Sequence, residues 1–288
     1  MTEVLATLAT LSVLVFVIGS MTSMGLSLKM PQIIAPLKDI KLVILALVAS
    51  FIVVPLIAVV ITLIIPLPES VRVGLILVST AAGAPFLPKL AQAAKGNTAF
   101  SVGLMVLLMV VTIIYLPLVL PLLLSGVEVN AWEIAQSLIV MMLIPLAIGL
   151  LINARYEDTA AKIQPTFGMA SNVALLALMV LGLVLNFEAM IALVGTWGIL
   201  ATIIFILLSL AAGYLLGLGS SDSGIRSVMG LGTAQRNISA ALVVGAQNFD
   251  SSVVTYLIVV GLIGLVVLMP ITGELGKRSA AKSEEAAA

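Results

Sequence analysis

From Leu42 to Ile65 the chain reads LVILALVASFIVVPLIAVVITLII, without one charged residue. Runs of this kind recur along the sequence and constrain its fold more than any other feature. The hydrocarbon core of a bilayer takes about 20 residues of helix, with a range of roughly 17 to 25. A helix on the surface of a soluble protein needs only one apolar stripe, not an apolar circumference. Composition agrees with the runs. The chain is 62% hydrophobic and 9% charged, where a soluble domain carries about 25% charged residues. The sequence therefore reads as an integral membrane protein.

The residue types that are missing remove whole classes of chemistry. There is no cysteine and no histidine, so disulfides, thiolates and the usual zinc or haem ligands are absent. An intramembrane enzyme would need a nucleophile with a base, or metal ligands, at depth, and the chain is read as not an enzyme. A net charge of zero offers no field for nucleic acid. The opening MTEVLATLATLSVLVFVIGS lacks the basic leader and small-residue cleavage pattern of a secretory signal, and reads as a first membrane helix.

Measured against bilayer thickness, the chain divides into nine spans: 4–26, 41–65, 71–95, 98–125, 132–154, 165–186, 193–217, 224–247 and 252–272. The remainder, 273–288, is polar and is expected to be a disordered cytoplasmic tail. Short cytoplasmic loops collect Lys and Arg, which tests the count. With nine spans, Lys29, Lys38, Lys41, Lys95, Arg155, Lys162, Arg226, Lys277, Arg278 and Lys282 share one side, against Arg72 on the other. That asymmetry places the N-terminus outside and the C-terminus in the cytoplasm, in a membrane taken to be the bacterial inner membrane.

Two basic residues fit no loop. Lys89 and Arg236 both fall inside spans, and both spans are interrupted. AAGAPFLPKL carries Gly83, Pro85 and Pro88, while GLGTAQRN carries Gly230 and Gly232 ahead of a polar cluster. Broken backbone at membrane depth is tolerated only where protein or a water-filled cavity satisfies it. Aligning Asn97 with Asn248, an offset of 151 residues, carries Gly83 onto Ala234 and so superimposes the two breaks. Spans one to four then correspond to spans six to nine. Five crossings separate each pair, an odd number, so the halves are inverted. Inverted repeats with discontinuous helices meeting at the midplane are a recurring plan of secondary transporters.

This plan, the motif AAKGNTAFSVGL (93–104) and the stretch GTAQRN (232–237) resemble the bile acid:sodium symporter family, over the chain to about residue 272. The resemblance implies a panel formed by the spans 4–26, 41–65, 132–154 and 165–186. It implies a core formed by 71–95, 98–125, 193–217, 224–247 and 252–272. It implies a carrier of organic anions, from bile salts to small carboxylates such as pantoate and pyruvate, usually driven by sodium. The chain also departs from the family pattern. Leu87 and Pro88 stand where bile-acid carriers have a Ser-Asn pair. Gly232 stands where a glutamate ligates sodium, and Arg236 stands near a glutamine, while a serine ligand carries over as Ser101. Sodium, the one cofactor considered, is left with Ser101, Gly232, Thr233 and Gln235.

Arg236 has two readings. It either bridges the broken helices by bonding to backbone carbonyls, or it is the counter-charge of an anionic substrate. The absence of any Asp or Glu deep in a span favours the second, since no buried salt bridge is on offer. The same absence leaves proton coupling through a side chain unsupported. Lys89 either snorkels to the interface or touches substrate. The substrate set is completed by Gln235, Asn237, Thr233 and Asn172, the last with Asn186 in the sixth span; each could also join helices. The function expected is alternating-access transport of a small organic anion, sodium-coupled or, alternatively, an uncoupled facilitator or exporter. The partners expected are that anion and the lipid bilayer.

Overall fold

The computed structural model describes residues 2–34, 38–124, 130–185 and 187–287, and among them the chain is helical with no strand. Asn186, considered above, lies outside the described residues. So do the final residue of the expected span 98–125 and the final residue of the tail.

The chain opens with α1 (Thr2–Ser27) and a short α2 (Met30–Ile34). Next come α3 (Ile40–Val48), a π-helical turn at Ala49–Val53 and α4 (Val54–Ile64). The third apolar stretch is split into α5 (Glu69–Thr80) and α6 (Leu87–Ala93), and α7 (Thr98–Leu123) follows. After it, α8 (Ala131–Leu138), a second π turn at Ile139–Leu143 and α9 (Ile144–Arg155) form one continuous rod. The second half holds α10 (Glu157–Leu185), α11 (Phe187–Val194) and α12 (Gly198–Gly217). Another split pair, α13 (Ser223–Ala234) and α14 (Ile238–Asn248), precedes α15 (Ser251–Ala287).

Among the described residues six stretches are long and apolar enough to cross a bilayer: Thr7–Ser27, Ile40–Ile64, Thr98–Leu123, Ala131–Arg155, Gly198–Gly217 and Ser251–Ser279. The protein is an integral membrane protein. The split pairs are not among the six, because neither half is long enough alone.

The tail is a correction. Residues 273–288 were expected to be disordered, yet α15 continues as helix to Ala287. The reason lies in both its composition and its contacts. Alanine favours helix, Glu274 and Arg278 form an i,i+4 pair at 2.8 Å, and Gly276 lies so close to Ala93 O that a Cβ would come within 2.5 Å of it.

Small residues let the helices approach closely, as in other membrane proteins. Gly25 of α1 and Gly149 of α9 lie against one another's backbone: a Cβ on either would come within 2.9 Å of the other's Cα. Polar side chains tie α1 to its neighbours. Ser171 Oγ donates to Phe16 O at 3.0 Å, Gln164 Nε2 to Ser23 Oγ at 2.9 Å and Asn153 Nδ2 to Leu28 O at 2.8 Å. On the other side of the fold, Gly213 of α12 is pressed against Thr233 and Met229 O of α13.

The π turns have a cause in sequence. Val54 N donates to Ala49 O and Ile144 N to Ile139 O, each across five residues. In both rods the next residue is proline, Pro55 or Pro145, which has no N–H to continue the ladder. The carbonyls of Ser50 and Val140 are thereby left without that donor. For Ser50 this matters to the site.

Candidate functional site

The first break has a local origin. Gly83 takes φ +80°, a conformation that side chains with a Cβ strongly disfavour. A Cβ there would also run into the backbone of Met109 in α7. Pro85 keeps the preceding residue out of helical conformation, and Ala81 is extended. The freed backbone is patched by α7. Ala82 N donates to Thr112 Oγ1 at 2.9 Å, and the same hydroxyl donates to Ala82 O at 3.0 Å.

The second break has no proline. Its glycines, Gly230 and Gly232, lie inside α13, and the helix runs on to Ala234. They are packing positions instead. A Cβ on Gly230 would sit 3.1 Å from Leu210 O, and one on Gly232 3.0 Å from Leu87 Cδ2 and 3.3 Å from Leu104 Cδ2. The interruption itself is Gln235–Arg236–Asn237, where Gln235 and Asn237 leave helical conformation with ψ of 103° and 84°.

Asn237, 0% exposed, joins the two breaks. Its Oδ1 caps α14 by accepting from Ala240 N at 3.0 Å. Its Nδ2 donates to Gly83 O at 3.0 Å and to Ala82 O at 3.4 Å. Its backbone N–H donates to Ala81 O at 2.9 Å. One residue thus satisfies carbonyls of the first break while starting the second half-helix.

Arg236, 3% exposed, lies beside this crossing. Its Nε donates to Val78 O at 3.2 Å, Nη1 to Thr233 O at 3.3 Å, and Nη2 to Ser79 O at 2.6 Å and Ser50 O at 3.2 Å. Val78 and Ser79 lie in the last turn of α5, and Thr233 in the last turn of α13. Helix C-termini leave carbonyls unpaired and carry partial negative charge, which the guanidinium meets at both ends at once. The fourth acceptor is the Ser50 carbonyl that Pro55 leaves without a donor. Tyr115 reaches the same π turn: its hydroxyl donates to Phe51 O at 2.5 Å, and its ring lies 4.7 Å from that of Phe51.

The other predicted site residues are placed less uniformly. Thr233 is buried, and its hydroxyl donates to Met229 O at 2.8 Å. Ser101 is buried, and its hydroxyl donates to Thr98 O at 2.7 Å. Gln235 is half-buried, and no hydrogen bond holds its side chain among the described residues. Lys89 is exposed, with its ammonium 5.6 Å from the centre of the Phe86 ring. Pro88 stands in the first turn of α6, where its missing N–H costs little. Asn172 is exposed on α10, and no hydrogen bond ties it to the crossing.

Reading the residues one by one missed Ser50, Thr112 and Tyr115. A signal for Ser50 existed, because a proline in a span frees a carbonyl four or five residues before it. Nothing in the sequence pairs Thr112 with Ala82, since that contact depends on where α7 crosses.

The model of the Sodium Bile acid symporter family matches residues 13–193, well over half of the chain. The chain belongs to that family. Family members are transporters, not enzymes. The match ends before α13, so the crossing residues 235–237 lie beyond it. The protein named "Probable sodium/metabolite cotransporter BASS3, chloroplastic", from Arabidopsis thaliana, is 26% identical over 156 residues, 54% of this chain. The match spans 36% of that relative's length.

Proposed function

We propose that this protein is a secondary transporter that moves a small organic anion, a carboxylate or a bile-acid-like molecule, by alternating access. The observation that carries the reading is the crossing of two broken helices through Asn237, with family membership behind it. The Arabidopsis relative, named a probable sodium/metabolite cotransporter, agrees.

The architecture proposed is nine crossings in an inverted repeat. Its support is that the breaks fall at equivalent places: α5 ends at Thr80 and α13 at Ala234, close to the offset that aligns Asn97 with Asn248. A second support is direction. Asn97 Nδ2 donates to Asp222 Oδ2 at 3.2 Å, which brings the segment following α6 beside the start of α13, so the two broken helices run antiparallel. The panel and core groupings, the outside N-terminus and the bacterial inner membrane belong to the same proposal. Within it, Gln235 and Lys89 are the open polar groups that meet the anion, with Asn172 facing it from the panel. Arg236, Asn237 and Thr233 hold the crossing, and Arg236 adds a fixed positive field.

Sodium is the coupling ion that the family's name carries. The residues left for it here fit it poorly. Gly232 has no side-chain oxygen to offer, and the space beside it is packed by Leu87 and Leu104; no group of three or more Asp or Glu gathers among the described residues. That favours the second reading, an uncoupled facilitator or exporter of the same anions. Uptake of labelled pyruvate, pantoate and taurocholate into proteoliposomes tests both. Accumulation against a gradient supports coupling, and dissipation without accumulation supports facilitation. If none of these anions moves in any medium, the transport reading fails.

A further inference from the structure

We infer that Arg236 is a built-in cation occupying the place where a mobile cation would bridge the two half-helix C-termini, so that transport does not require sodium. The inference rests on the transport reading only for its flux arm; its stability arm stands without it.

Two helices that end face to face inside a membrane protein leave carbonyl groups and two partial negative charges in an apolar interior. Such ends suit a cation, and a chain can meet the need with an ion from solvent or with a side chain of its own. Here the donors are covalent parts of the protein. Nε, Nη1 and Nη2 of Arg236 together reach Val78 O and Ser79 O on α5, Thr233 O on α13 and Ser50 O on the neighbouring rod.

Three features of the surroundings fit a resident cation. Among the described residues the ion pairs are Lys29–Glu157, Arg72–Glu69 and Arg278–Glu274, so Arg236 has no carboxylate partner. Its charge is answered by carbonyl dipoles alone and repels a second cation. The Gly232 position, one residue before the acceptor Thr233, is packed by leucines rather than by an oxygen donor. Finally, Ser50 is fully buried and its hydroxyl has no hydrogen-bond partner. It is an unused oxygen on the residue whose carbonyl Arg236 takes. Truncating Arg236 would leave several carbonyls and this hydroxyl as an oxygen-lined space of the kind a small cation fills.

A tethered charge cannot leave with the substrate. It takes the structural role of a coupling ion at the crossing and removes its stoichiometry. Each carboxylate then crosses with its own charge, which a membrane potential drives or opposes.

The test uses the full chain, purified and reconstituted, in sodium or in choline at equal ionic strength. For the wild type we expect no shift of the unfolding temperature between the two media, and the same initial uptake of the labelled carboxylate. Arg236→Ala and Arg236→Gln should unfold at lower temperature in choline and regain part of the loss in sodium or with methylguanidinium. A wild type whose unfolding temperature or uptake rises with sodium overturns the inference. So does an Arg236→Ala protein as stable as the wild type and indifferent to every small cation. If the variants do not fold, the two wild-type measurements decide. If no anion moves while the stability results hold, the transport reading fails and the resident cation stands.

Discussion

Replacing Asn237 separates two jobs that the native residue does at once. Asn237→Ala removes the cap of α14, worth about 1 kcal/mol. It also removes the amide that donates to Gly83 O at 3.0 Å. An interhelical bond of this kind in a membrane protein is worth about 0.6–1.7 kcal/mol, and a buried carbonyl left without a donor adds to the loss. The alanine variant should therefore lose about 2–3 kcal/mol, which for a chain of this size lowers the unfolding temperature by roughly 3–5 °C. Asn237→Ser keeps a good capping oxygen and loses only the bridge, so it should fall about midway. Neither change touches the backbone bond from Asn237 N to Ala81 O, and both proteins should still insert and fold. Reversible unfolding in mixed micelles, followed by circular dichroism, measures the three proteins side by side. A serine variant indistinguishable from the wild type would refute the reasoning, because the bridge between the breaks would then contribute nothing.

Further outcomes follow from other contacts. Gly83→Ala should yield little monodisperse protein by size-exclusion chromatography, because a positive φ costs a non-glycine residue about 1–3 kcal/mol and the added Cβ also meets the Met109 backbone. Tyr115→Phe keeps the ring against Phe51 and removes the donor to Phe51 O, a loss of about 1 kcal/mol in the same unfolding assay. Pro55→Ala supplies the N–H that Ser50 O lacks, so a double-mutant cycle with Arg236→Gln should give a coupling of about 1 kcal/mol; additive effects would disprove the link. Lys89→Gln should raise the KM for carboxylate uptake and leave the unfolding temperature unchanged, and the reverse pattern would make Lys89 structural.

The first break was legible because its cause is local. Gly83 and Pro85 cannot sustain a helix whatever surrounds them. The second was legible only as a region. Gly230 and Gly232 looked like the interruption, but a glycine inside an apolar helix also permits close packing, and α13 uses both in that way against α12, Leu87 and Leu104. The interruption at Gln235–Arg236–Asn237 is held by what Arg236 and Asn237 reach, and six of those partners, Ser50, Val78, Ser79, Ala81, Ala82 and Gly83, lie more than 150 positions away in the chain. The tail was misread for a related reason: polarity suggested disorder, while the close approach of Gly276 to Ala93 is invisible in sequence.

Arg236 draws the line between the two sources of information most clearly. Its position in a long apolar run was enough to say that a buried guanidinium needs partners, because the cost of a bare charge there does not depend on the fold. With no deep carboxylate in the sequence, a substrate anion looked like the remaining partner. The tertiary structure supplied carbonyl oxygens instead, from two helix ends and a proline-freed turn. Sequence lists which side chains carry charge, but every residue carries a carbonyl. A proline can show which of those oxygens is left unpaired, but only the arrangement of helices determines which are turned towards a cation.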